Sequence, residues 1–218
     1  MNETKPDGVE LLYISDPMCS WCWGFSRVFQ TLIENLPKQI KVKRFVGGLA
    51  PDSDEPMPEA TKLMVQQAWQ RIQQNIPGTE FNYDFWEKCQ PRRSTYPACR
   101  AVIAAREQGI EFDEKMTRAI QQAYYLNASN PSDDAVLIRC AESIEVDVDR
   151  FKRDYFSDEI NSKLLQEIAY CRSIGADSFP NLIFKMNQRH RSIALNYTDA
   201  DVMLSQIVKV LSSSTPLI

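Results

Sequence analysis

The chain has 218 residues, a formal net charge of −4, and 44% hydrophobic against 25% charged residues, which is a globular composition with room for one large fold or a fold carrying an insert. The acidic balance and the lack of a long Lys/Arg run exclude a general nucleic-acid binder or a protein that docks on anionic membranes. No stretch approaches about 18 consecutive apolar residues, and the polar opening MNETKPDG lacks the order of a signal peptide, so the expected location is cytoplasmic.

Glu10–Ser15 (ELLYIS) is a short run of strand formers closed by the turn signal Asp16-Pro17. From Cys22 onward, Phe25, Val28, Phe29, Leu32, Ile33 and Leu36 recur at helical spacing until Pro37. Residues 40–46 (IKVKRFV) alternate and end at Gly47-Gly48, the pattern of a second strand. Strand, helix and strand in this order predict a βαβ unit with a parallel pair.

The texture then changes. Helical period carries Val65, Trp69, Ile72 and Ile76, then Cys99, Val102 and Ile103, then Met116, Ala119, Ile120 and Ala123. It continues through Leu137, Cys140, Ala141 and Ile144 and through Ile160, Leu164, Ile168 and Cys171. Residues 75–97 are the least regular part of this block. Gly175 is a helix stop, after which FPNLIFKM and HRSIAL read as a hairpin across Asn187, Gln188 and Arg189. Thr198 with Asp201 opens a last helix carrying Leu204, Ile207, Val208 and Leu211. The expected class is α/β: a βαβ part at residues 9–55, an all-helical insertion at 56–174 and a ββα part at 175–213.

The segment DPMCSWCWGF holds a Cys-x-x-Cys at the junction of the first strand and first helix. Cys19 falls at the helix mouth, where unpaired N–H groups and the positive end of the helix dipole stabilise a thiolate. Cys22 shares the apolar stripe of Phe25 and Phe29. Cys19 is therefore expected to be exposed and Cys22 largely buried, an inequality that suits thiol-disulfide exchange, with Cys19 attacking and Cys22 resolving. A zinc site needs two more ligands, and the single histidine and the other cysteines form no second close pair; no metal is expected.

DPMCSWCWGF, the long helical block and the later Gly-Ala-Asp-Ser-Phe-Pro at 175–180 together resemble the DsbA-like branch of the thioredoxin superfamily, in particular its cytosolic disulfide isomerases. The resemblance implies a thioredoxin-like fold interrupted by the insertion, and a thiol-disulfide oxidoreductase or isomerase that needs no cofactor. It further implies a cis bond before Pro180, with Phe179 and Pro180 opposite Cys19 as substrate-binding residues. The implied partner is a disulfide-containing protein or a small thiol such as glutathione. Two positions depart from the pattern: Tyr13 stands where many relatives carry a buried acid, and Ser20-Trp21 lacks the histidine found between the cysteines of strongly oxidising members.

Trp21 is read as a half-exposed apolar lip for substrate, and Trp23 as packed under the helix. Asp16 ends the first strand and, near Cys19, would oppose a thiolate. Cys89 and Cys99 bracket an irregular stretch and are candidates for a second redox pair, although Cys99 also lies on an apolar helical face where a small buried side chain is the ordinary reading. Core packing is the reading for Cys140 and Cys171, and His190 has no partner for catalysis. Two other functions remain open: a glutathione-dependent isomerase or transferase of the kappa-class type, whose members carry Ser in place of the first cysteine, and a non-enzymatic metal-binding or chaperone-like module.

Overall fold

Leu11, Leu12 and Ile14 have no exposed surface, because β1 (Glu10–Ser15) runs between two other strands and is covered on both faces. The computed structural model describes residues 8–187 and 189–213, and its sheet has the order β2-β1-β3-β4. β2 (Lys41–Val46) lies parallel to β1 with Leu12 beside Lys43. β3 (Asn181–Met186) lies antiparallel on the other side with Leu12 beside Ile183, and β4 (Arg189–Ser192) completes the hairpin. Gln188, expected in the turn, falls outside the described residues. The second hairpin strand was expected to reach Leu195; it stops at Ser192, and only the Ile193 N–H still reaches the Leu182 carbonyl.

α1 (Ser20–Glu34) makes the crossover from β1 to β2. Its buried stripe of Phe25, Val28, Phe29 and Leu32 packs on Tyr13, Leu182 and Phe184 of the sheet and on Met203 and Ile207 of α9 (Ala200–Ser213). The Tyr13 ring stacks on Phe29 with centroids 4.0 Å apart. α9 starts after Asp199, whose carboxylate accepts the Asp201 N–H, rather than at Thr198. Its inward stripe uses Met203, while Val208, expected inside, is 41% exposed because it follows Ile207 by about 100° around the helix.

Seven helices separate β2 from β3: α2 (Glu59–Asn75), α3 (Phe85–Lys88), α4 (Tyr96–Arg106), α5 (Glu111–Tyr125), α6 (Asp134–Glu142), α7 (Val148–Tyr155) and α8 (Asp158–Ser173). α4 runs through the centre of the block, with Ala98, Cys99, Ala101, Val102, Ile103, Ala104 and Ala105 all buried. An aromatic cluster around Trp69 joins Phe81, Phe85, Trp86, Tyr124 and Tyr125. α7 escapes the periodicity reading: its eight residues bury only Phe151 and Tyr155, a single i,i+4 pair, and Asp147 caps its start. α8 ends at Ser173, and Gly175 takes φ +79° just beyond it, a left-handed conformation that glycine adopts without strain. Among the described residues no helix is long and apolar enough to cross a membrane.

An ionic joint ties the helices to the sheet. Arg106 of α4 is bonded to Asp113 at 2.6 Å and to Glu167 of α8, while Glu167 also accepts the N–H of Val46 at the end of β2 at 2.9 Å. The joint holds the C-terminal end of β2, and the loop leaving it, in a set place beside the start of α1.

Candidate active site

Cys19 is the N-cap of α1. Its backbone is extended, its N–H is bonded to the Asp16 carbonyl at 3.0 Å, and its sulfur accepts the N–H of Cys22 at 3.4 Å. The negative charge of a thiolate is thus met by a helix N-terminus. The thiol also lies 3.5 Å from the carbonyl oxygen of Phe179, to which it donates. Cys19 is not exposed as expected: 7% of it is accessible, because a segment 160 residues further along the chain roofs it. Cys22, one turn inside, has no accessible surface. Burial, followed by the contact with Cys19, pushes the Cys22 thiol well above the usual range. Both cysteines are free thiols.

The peptide bond from Phe179 to Pro180 is cis, as the resemblance implied. Phe179 is half-buried and Pro180 buried. The approach of Phe179 requires glycine at 47, since a Cβ there would lie 1.8 Å from the Phe179 ring. The loop after β2 and the loop before β3 therefore close on each other beside the cysteines.

A buried acid also belongs to the site. Asp16 is 0% exposed, and its two oxygens accept from the N–H of Met18 (2.8 Å), the N–H of Leu49 (2.7 Å) and the hydroxyl of Thr95 (2.7 Å), with the Cys99 thiol at 3.5 Å. Burial raises its carboxyl above the ordinary range, against the pull of those donors, of which the Leu49 N–H is the strongest. Its charge in turn opposes ionisation of Cys22 and of Cys99. Sequence reading took Asp16 as the residue ending β1 and as a charge opposing a thiolate, and missed its burial; the signal available was a carboxylate at the end of an apolar strand, directly ahead of the cysteine loop.

Aromatic rings surround the pair. Trp21 is half-buried and meets Tyr197 edge-on at 5.2 Å. Trp23 does not tuck beneath α1; it stacks on Tyr125 of α5 at 5.6 Å and donates its indole N–H to the Glu80 carbonyl. Burial raises the phenols of Tyr125 and Tyr197, and both are raised further by charge on Cys19 and Cys22, which places all four groups in one neighbourhood.

The structure does not bring Cys89 and Cys99 together. The Cys89 thiol donates to the Ala128 carbonyl at 3.1 Å, whereas Cys99 faces Asp16 from the core of α4. His190 is exposed on β4, opposite Lys185. Among the described residues no three His, Cys, Asp or Glu side chains cluster to hold a metal.

A strand-to-helix Cys-x-x-Cys facing a cis-proline segment is matched by a family model described as thioredoxin, which covers residues 12–204. The chain belongs to the thioredoxin family. Its fold is shared with a solved Nitrosomonas europaea protein assigned as a candidate protein disulfide isomerase (TM-score 0.85, 24% identity, 96% of this chain and 100% of that one). It is also shared with the cytosolic disulfide reductase DsbM of Pseudomonas aeruginosa (TM-score 0.75, 20% identity, 94% and 100%). Among curated proteins the chain is similar to the ClpXP adapter protein SpxH of Bacillus subtilis, with 26% identity over 188 residues covering 86% of this chain and 61% of that protein. The SpxH of Halalkalibacterium halodurans is 23% identical over 194 residues, 84% of this chain and 60% of the relative. This thioredoxin-family chain thus spans about three fifths of the length of the curated relatives it matches.

Proposed function

We propose that the chain is a thiol-disulfide oxidoreductase that works through a mixed disulfide at Cys19. The observation that carries this reading is the inequality of the two sulfurs. One sits at the helix mouth under the Phe179 carbonyl, and the other is sealed beneath it with its thiol raised by burial. The Cys19 thiolate attacks one sulfur of a substrate disulfide, that S–S bond breaks, and the departing sulfur leaves as a thiolate. Cys22 then loses its proton and attacks Cys19, releasing the second substrate thiol and leaving a Cys19–Cys22 disulfide. Two electrons have passed to the substrate, and a thiol reductant resets the pair. In isomerisation a second substrate thiol resolves the intermediate instead, and no net electrons move.

Phe179 and Pro180 line the approach to Cys19 as the substrate-binding segment, and half-buried Trp21 forms its apolar lip. Burial, the contact with Cys19 and, after these, the charge of Asp16 oppose ionisation of Cys22, which keeps Cys19 the attacking group. We assign the activity to reduction or isomerisation in the cytoplasm, on disulfide-bearing proteins or small thiols. The likeness in fold to a cytosolic reductase, also solved with GSH, supports that assignment. Insulin reduction by the wild type and by Cys19→Ser tests the reading. Turnover by the wild type, lost in Cys19→Ser, is expected; equal turnover, or none by either, overturns it.

The adapter name of the curated relatives supports a second reading, in which a protein partner is held without turnover. Leu49, whose N–H is bonded to Asp16 beside the cysteines, is apolar and exposed enough to contact one. Capture of a partner that persists in Cys19→Ser would favour it.

A further inference from the structure

Behind the active site, on the face of α1 turned toward the helical block, lies a cavity of about 690 Å³. Its walls are Trp23, Gly24 and Arg27 of α1, the end of α2 through Ile76 and Gly78, Arg118 of α5, and Tyr197 ahead of α9. Trp23, Arg27 and Thr31 succeed one another at i,i+4, so the cavity follows a stripe that begins at the helix mouth holding Cys19. Tyr197 joins the two places, since its ring lines the cavity and touches Trp21 beside the cysteines.

The electrostatics of this cavity differ from those of the chain as a whole. The chain has a net charge of −4, yet no aspartate or glutamate among the described residues lines the cavity, while two arginines do. Neither guanidinium has a carboxylate partner among the described residues, so the donors of both are open toward the cavity they line. Glu80, at the rim, offers its carbonyl to Trp23. Gly78 gives the first guanidinium its room. It has φ +82°, and a Cβ there would stand 3.2 Å from Arg27 Nη1.

We propose that this cavity is a carboxylate-binding subsite that selects disulfide substrates with an acidic residue a short way from the reacting cysteine. The proposal rests on the oxidoreductase reading for its use, though the binding itself does not. Two planar forks with free donors match carboxylate oxygens. Their distance from the sulfur sets the spacing. Arg27 is eight residues beyond Cys19, about 12 Å along a helix at ~1.5 Å per residue, and an extended peptide at ~3.3 Å per residue covers that in about four residues. An Asp or Glu three to five residues from the substrate cysteine reaches the guanidinium.

The test compares two disulfide-linked peptides that differ only in Glu or Gln four residues from the cysteine, with wild type and with the Arg27→Gln/Arg118→Gln double variant. In the wild type kcat/KM is expected to favour the Glu peptide by about tenfold, the sum of two accessible ion pairs, and the preference should shrink as salt rises. It should collapse toward one in the double variant. Equal use of both peptides by the wild type, or a preference that survives both substitutions, overturns the proposal. Binding of the same peptides with Ser for Cys, followed by tryptophan fluorescence, separates the two readings. If no peptide is reduced but the Glu form still binds more tightly and the double variant loses that difference, the subsite stands and the oxidoreductase reading falls. No difference in binding removes the subsite whatever the turnover.

Discussion

The sheet part and the helical block of this chain hold themselves together by different means. In the sheet part, β1 is sandwiched between strands, and two amphipathic helices, α1 and α9, cover one face with stacked rings and aliphatic side chains. In the block, alanine-rich α4 lets neighbouring helices approach closely, and the remaining volume is filled by aromatic side chains around Trp69. The sulfurs of Cys19 and Cys22 belong to the first part, but the second determines their setting. Thr95 and Cys99 of the block meet Asp16 at the end of β1, and Arg106 and Glu167 of the block hold the end of β2. The comparison teaches that the helical block is more than a cover: it supplies half of the hydrogen-bonding around the buried carboxylate of Asp16 next to Cys19 and Cys22.

The sharpest test of this division lies in the sheet part. Cys19→Ser should lower disulfide reduction by at least about a thousandfold, because a hydroxyl cannot form the mixed disulfide. Its unfolding midpoint in urea should barely move, since the sulfur contributes two long hydrogen bonds that a serine hydroxyl can also make. Loss of folding in this variant would mean that the pair is structural.

The next largest effect belongs to the ionic joint. Arg106→Leu leaves Asp113 and Glu167 without their cation in a buried setting and should cost about 3–5 kcal/mol of stability in urea unfolding. A cost under about 1 kcal/mol would show that these carboxylates are hydrated rather than held, and would uncouple the two parts at β2.

Asp16 should separate the parts by pH. Its carboxyl is raised by burial in the folded chain, so the folded state binds the proton more tightly than the unfolded one. The resulting contribution to stability is complete below the unfolded value of about 3.9 and is lost as pH rises through the raised folded value. Wild type should therefore lose stability over that rise, a component that Asp16→Asn lacks. Urea midpoints for both proteins across this range check it, and parallel profiles would place the ionisation elsewhere. In a Cys19→Ser background, Asp16→Asn should also allow Cys22 to be alkylated at lower pH, since the opposing charge is gone.

Much of this arrangement was legible in the residues, and what was not has a physical cause. β1, the α1 stripe, β2 and the Gly175 stop declare themselves by local pattern: an unbroken apolar run, a helical repeat, an alternation and a glycine in the left-handed conformation. α7 does not, since a charged helix with only Phe151 and Tyr155 inside has no repeat to read. The burial of Cys19 was misread because its cover comes from Phe179, a contact no local pattern carries. The burial of Asp16 escaped for the same reason: apart from the Met18 N–H, its donors come from positions 49, 95 and 99. Tyr13, which stands where relatives often place an acid, stacks on Phe29 instead, and the buried acid sits three residues later.

The smallest expected effect concerns the second cysteine pair. Cys89 is half-buried at the end of α3 with its thiol on the Ala128 carbonyl, and Cys99 is sealed in α4 against Asp16. Burial raises both thiols, and the charges of Asp133 and Asp16 respectively raise them further, so each is held in the form that reacts slowly with disulfides. Cys89→Ser should change stability by no more than about 0.5 kcal/mol, because a serine hydroxyl can donate to the same carbonyl, and disulfide turnover should stay within about twofold. Peptide mapping after mild oxidation should recover a Cys19–Cys22 bridge before any involving Cys89. A Cys89–Cys99 bridge formed at the same rate would require α3 to leave the Trp69 cluster, and would make the helical block a redox-responsive part in its own right.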